Sequence, residues 1–209
     1  MRKFICLIIA FFLLTGCNDE SIKEVPLKTS NDNSAVSSPV NSHNLDEYMF
    51  RDDVQYVDLR SSKMILEEGY VAGFEFIPFY DLIASFSGSE TLYRMENKKD
   101  DDGNRIAAGQ VGSFVAIYEE SEVTIKSMFS TTKHIFLISQ GGSESSYLIN
   151  LLIQLGYNQN LLYNVGGVSN SEGVASYRSI KTNKYYVEGY SGFNPTVDYD
   201  FVDTLTPVE

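Results

Sequence analysis

One stretch constrains the fold more than any other. Residues 135–157, "IFLISQGGSESSYLINLLIQLGY", begin with four apolar residues that read as a buried strand. A loop of small polar residues follows, and then a segment with the pattern of an apolar-faced helix. A strand that ends in a Gly/Ser loop and feeds a helix is a common way to build an anion or nucleophile site, because the helix N-terminus and the loop amides point at one spot. The loop itself, Ser139, Gln140, Gly141, Gly142, Ser143, Glu144 and Ser145, holds no Cys, His, Lys or Arg. It has the frame of an active site without the usual reactive groups.

The flanking sequence repeats the strand–helix rhythm. "SHNLDEYMF" reads as a short helix capped by Ser42 or Asn44, and 54–59 as a strand. Residues 61–69 read as a helix stopped by Gly69. A short strand at 74–78 ends in Pro78, which opens a further helix. A helix is expected over 119–129 and a last strand over 160–165, before Gly166 and Gly167. This alternation predicts an α/β domain with a mainly parallel sheet and helices on both faces. Residues 86–118 interrupt it. They carry an Asp102-Gly103 turn signal between weakly alternating segments and are expected to form an inserted hairpin.

The chain begins with Arg2 and Lys3, then an 11-residue apolar run from Phe4 to Leu14. That run suits a signal-peptide core and is short for a membrane span. Leu14-Thr15-Gly16-Cys17 follows and resembles the bacterial lipobox. The resemblance implies a leader over 1–16 and palmitate-type acyl chains on Cys17, which would hold the protein outside the cytoplasm on a cell membrane. Cys6 leaves with such a leader, so the mature chain has no free thiol for thiolate catalysis, metal ligation or a disulfide. Residues 17–42 are rich in Asn, Ser and Asp without any period and are expected to be a disordered tether spanning roughly 25–30 Å. The net charge is −12 for the full chain and −14 once Arg2 and Lys3 are removed. Long-range repulsion then disfavours nucleic acid and anionic substrates.

Three segments in order, 56–79, 135–157 and 161–168, resemble the rhodanese-like domain. The resemblance runs through Asp58 and Arg60 at the first strand end, the stretch around Tyr70, Ile77-Pro78, the loop before a helix, and Gly166-Gly167. It places a rhodanese-like three-layer domain over about 43–180, followed by an aromatic-rich extension over 181–209. The family's activity is sulfur transfer through a Cys thiolate held in a cradle of backbone N–H groups. Here the nucleophile position is Ser139, which cannot carry a persulfide. Gln140 and Glu144 occupy loop positions where a basic residue often sits, and Tyr70 stands where the family has His. A catalytically degenerate domain follows, needing no cofactor or metal and acting as a binding module for an envelope protein or small ligand.

Two other readings belong to different classes. A divergent hydrolase using Ser139 needs a base. His134 precedes the same strand and lies about 13–16 Å away along extended chain. The G-x-S-x-G elbow is absent, since Gly141-Gly142-Ser143-Glu144-Ser145 ends in Ser. Weak residual sulfurtransferase-family activity is the other enzymatic alternative. A module working through the insertion 86–118 and the tail tyrosines is a third possibility. Asp100, Asp102 and Asn104 alternate as in a calcium loop, but Arg105 and Val111 stand where that loop requires Gly and Glu. A solvated hairpin tip is expected there.

Overall fold

The computed structural model describes residues 23–84, 91–106, 110–169 and 173–190. The expected leader, Cys17 and the tail beyond Tyr190 lie outside them.

The apolar runs form a four-stranded parallel sheet in the order β3-β1-β7-β8, with β1 at Val54–Asp58, β3 at Glu75–Phe76, β7 at His134–Ser139 and β8 at Leu162–Gly167. Val54 lies opposite His134 and Asp58 opposite Ile138, while Ile135 lies opposite Leu162. Side chains alternate across the sheet. Val57, Leu59, Ile135, Leu137 and Leu162 enter one core, and Val54, Tyr56, Phe136, Ile138, Tyr163 and Val165 enter the other. Over β1, β7 and β8 both faces are therefore dry, which explains why these three strands read as largely apolar runs, while β3 is an exposed edge. Each fully buried aliphatic side chain contributes about 1.5–3 kcal/mol of transfer free energy.

The first core is closed by α2 (Phe79–Leu82), α3 (Ser121–Met128) and α4 (Ser143–Gln154), through Phe79, Leu82, Ile125, Leu148, Ile149, Leu151 and Leu152. The second is closed by a 3-10 helix at Leu45–Tyr48, by Val25 and Val40, and by Tyr177 on a second 3-10 turn. Thus the chain is a mixed α/β domain with helices flanking a central parallel sheet, but its second face carries short 3-10 turns and irregular chain. Asn44 stands at the N-cap of the first turn without capping it; its Oδ1 accepts instead from the Asn41 N–H. By contrast, α1 (Ser62–Glu68) is capped by Ser61, whose Oγ accepts from Met64 N–H, and ends at Gly69, whose φ of 94° favours glycine.

Between α2 and α3 the described residues hold a second, antiparallel strand pair. β5 (Tyr93–Asn97) and β6 (Val111–Ala116) are antiparallel, and β4 (Ile83–Ala84) adds a parallel third strand. Asp100 Oδ1 accepts from Asn104 N–H, and Gly103 sits at φ 82°. The sheet is tied to α4 by Gln154, whose amide accepts from Phe114 N–H at 2.9 Å and donates to Phe114 O at 2.6 Å.

Two expected boundaries require correction. The sequence reads as a disordered tether over 17–42, yet within its described part, 23–42, Val25, Ala35 and Val40 are buried and the segment meets β8, the edge strand of the sheet. Tyr163 Oη donates to Pro26 O, Gln159 Nε2 to Asn31 O, and Asn164 Nδ2 to Asn33 O. Covering a sheet edge with chain removes a site for unwanted strand pairing. At the other terminus, β9 (Tyr186–Glu188) pairs antiparallel with β2 (Gly69–Val71). The described part of the C-terminal extension is thus part of the domain. Tyr177 is fully buried and Tyr185 and Tyr186 pack on the core, while Tyr190 is exposed.

Candidate functional site

The loop lies at the C-terminal end of the parallel strands, the usual ligand side of an open α/β sheet. Ser139 is the last residue of β7 and is fully buried. Its Oγ accepts from the Gly142 N–H at 2.8 Å, which closes the loop into a tight turn. Gly142 has φ 99°, and a Cβ there would lie 3.5 Å from both Asn164 Oδ1 and Gly166 Cα. That contact is an ordinary van der Waals one, so it is the left-handed backbone that favours glycine here.

Asn164 holds this arrangement together. It is 2% exposed. Its Nδ2 lies 2.9 Å from Gly142 O, Ser146 Oγ and Asn33 O, and its Oδ1 accepts from the Gly166 N–H. β8 is bulged at this point: Leu137 faces Asn164 and Ile138 faces Gly166, with Val165 as the extra residue. Ser146 Oγ also donates to Asn33 O. One buried amide therefore joins the strand, the loop, the first turn of α4 and the N-terminal segment. A polar residue inside the apolar run "LLYNV" was the available sequence signal for it.

A second polar group lies beside the loop. Asp58 and Arg60 are buried, with Arg60 Nη2 2.7 Å from Asp58 Oδ2 and Arg60 Nε 3.0 Å from Asp58 Oδ1. The Arg60 N–H also reaches Asp58 Oδ1, and Nη2 donates to Gly69 O, so the pair pins the end of β1 to the end of α1. Arg60 Nη1 lies 3.8 Å from Glu68 Oε2, too far for a hydrogen bond. Glu68 in turn accepts from Gln140 Nε2 at 3.4 Å and from the Ser169 hydroxyl. The motif positions Asp58 and Arg60 thus connect to the loop through Glu68, a residue the motif pattern does not include.

Tyr70 sits on β2 and its ring packs edge-on against Phe76. Gly166 and Gly167 end β8, opposite Ile138 and Ser139. Glu144 lies in the first turn of α4, where a carboxylate complements the helix dipole. Burial, then the Glu144 charge, pushes the Tyr80 phenol up. Ser145 is fully buried, and among the described residues its Oγ has no hydrogen-bond partner.

A cavity of about 210 Å³ opens at the loop, lined by Ser34 and Ala35 of the N-terminal segment and by Gly141, Gly142, Ser143, Ser146, Tyr147 and Asn164. Its lining carries hydroxyl, amide and backbone groups and no charged side chain. His134 stands at the far end of β7, with Nδ1 3.1 Å from the Tyr163 hydroxyl. His43 is exposed on the N-terminal side of the 3-10 helix. Among the described residues, no three His, Cys, Asp or Glu side chains cluster as metal ligands, and no helix is long and apolar enough to cross a membrane.

Comparison of the chain with family models, with curated proteins and with solved structures finds no match in any of the three.

Proposed function

We propose that this chain is an extracytoplasmic protein, anchored to a bacterial membrane by lipid on Cys17, whose rhodanese-like scaffold binds a partner and has lost sulfur transfer. The loop Ser139–Ser145 and its cavity are the binding site, and the ligand is a small polar molecule or a polar group on an envelope protein. The observation that carries this reading is the state of Ser139. Its side chain is buried and its Oγ is occupied as the acceptor for Gly142 N–H. A nucleophilic hydroxyl instead needs a base to take its proton and space for the electrophile. The histidine on the same strand sits at the opposite end, bonded to Tyr163. Supporting the binding role, the cavity is preformed and lined by uncharged donors and acceptors.

The full-length protein given thiosulfate and cyanide is expected to show no turnover, and a serine-reactive fluorophosphonate is expected to leave Ser139 unlabelled. Turnover that Ser139→Ala abolishes, or labelling at Ser139, would refute the reading.

A further inference from the structure

The N-terminal segment fixes more than the edge of β8; it fixes the position of Lys23, six residues beyond the expected lipid site. Lys23 is the first described residue, and it is held at the N-terminal end of the parallel strands. Its carbonyl accepts from Arg51 Nη1 at 2.6 Å, and its ammonium pairs with Glu47. Arg51 in turn is paired with Asp53, the residue before β1. Pro26 O is held by the Tyr163 hydroxyl, which also contacts His134 at the start of β7. The loop Ser139–Ser145 lies at the other end of the same strands. Five residues of β1 separate the two ends by about 16 Å.

We propose that the domain rests on the bilayer by the N-terminal end of its parallel sheet, so that the loop Ser139–Ser145 faces away from the membrane and its partner is water-borne, not a lipid. This rests on lipid attachment at Cys17. From Cys17 to Lys23 there are six residues, which reach at most about 20–22 Å in any conformation. A tether ending at Ser42 would let the domain turn freely, whereas six residues restrict it. Turning the loop toward the bilayer would lift Lys23 by about 16 Å, roughly three-quarters of the linker's full reach, at a cost in chain entropy. The face itself offers no surplus of cations to anionic lipid, since Lys23 and Arg51 already pair with Glu47 and Asp53, and the exposed Lys133 is matched by the exposed Asp52. The short link sets the orientation.

The absence of other thiols in the mature chain gives a clean test. The full chain is produced in a bacterial host that processes lipoproteins and is reconstituted into phosphatidylcholine vesicles containing head-group quencher lipid. Exposed sites at the two ends are substituted singly, Asp52→Cys and Ser62→Cys, and labelled with a thiol-reactive fluorophore. Quenching several-fold stronger at position 52 than at position 62 is expected. Equal quenching, or stronger quenching at 62, in vesicle-bound and acylated protein overturns the orientation and leaves the anchored-lipoprotein reading intact. Dye uptake by the unsubstituted protein, with no acyl mass on Cys17, overturns both.

Discussion

A primary amide has two protons to give, and the Nδ2 of Asn164 has three acceptors at 2.9 Å. Removing it leaves buried backbone groups of the loop without partners, and each such group costs about 1–3 kcal/mol. Asn164→Ala should therefore lower unfolding stability by roughly 2–4 kcal/mol in urea titration. The Asp58–Arg60 pair obeys a different rule. Its members are desolvated together, so breaking the pair costs more than deleting it. Asp58→Ala should destabilise by about 3–5 kcal/mol, because Arg60 stays buried without its nearest counter-charge. The double variant Asp58→Ala/Arg60→Met should recover part of that loss. A double variant less stable than the single would show that the Arg60 bond to Gly69 O matters more than the charge it carries.

Among the elements, the N-terminal segment relies on polar contacts where it meets the loop. Val25 and Val40 anchor it at either side of residues 30–37, while the part against the loop is held by hydrogen bonds. Asn33 makes most of them: Nδ2 donates to Asn150 Oδ1 at 2.7 Å, and Oδ1 accepts from Lys28 Nζ at 2.5 Å. Lys28 is itself buried, and that burial holds its ammonium pKa below the usual lysine range. In Asn33→Ala the Lys28 amine loses its acceptor while remaining buried. Amides of 30–37 should then exchange about 5–30-fold faster, corresponding to about 1–2 kcal/mol of local opening, with β7 amides unchanged. Equal acceleration in β7 would mean that the segment and the sheet open as one unit.

At the scale of the whole molecule, the central strands were legible because burial on both faces writes itself as uninterrupted apolar sequence. The turn at Asp102-Gly103 was legible from that pair, and the end of α1 from Gly69. The packing of 23–42 was not, because Asn, Ser and Asp that hydrogen-bond to a distant helix have the composition of disordered chain. The roles of Asn33, Glu68 and Asn164 come from long-range closure, which local pattern does not record. The same closure gives the molecule a pH response. Burial holds His134 below the ordinary histidine pKa, with Asp53 opposing and Arg51 reinforcing that shift, while Tyr163, its hydroxyl partner, is pushed up to about 12. The unfolded chain therefore binds a proton at this site more readily than the folded one, so stability falls as pH drops through the unfolded value of about 6.5. Asp53 and Asp32 are held below the usual carboxylate range, chiefly by hydrogen bonds from Arg51 and Ser37, so their contribution is kept above about pH 4 and lost only in stronger acid. The window from about pH 7 to 5 thus isolates the imidazole. The urea midpoint of the wild-type protein should decrease across that window, and that of His134→Gln, whose amide can still donate to Tyr163, should decrease less. Parallel slopes for the two proteins would locate the acid sensitivity elsewhere in the chain.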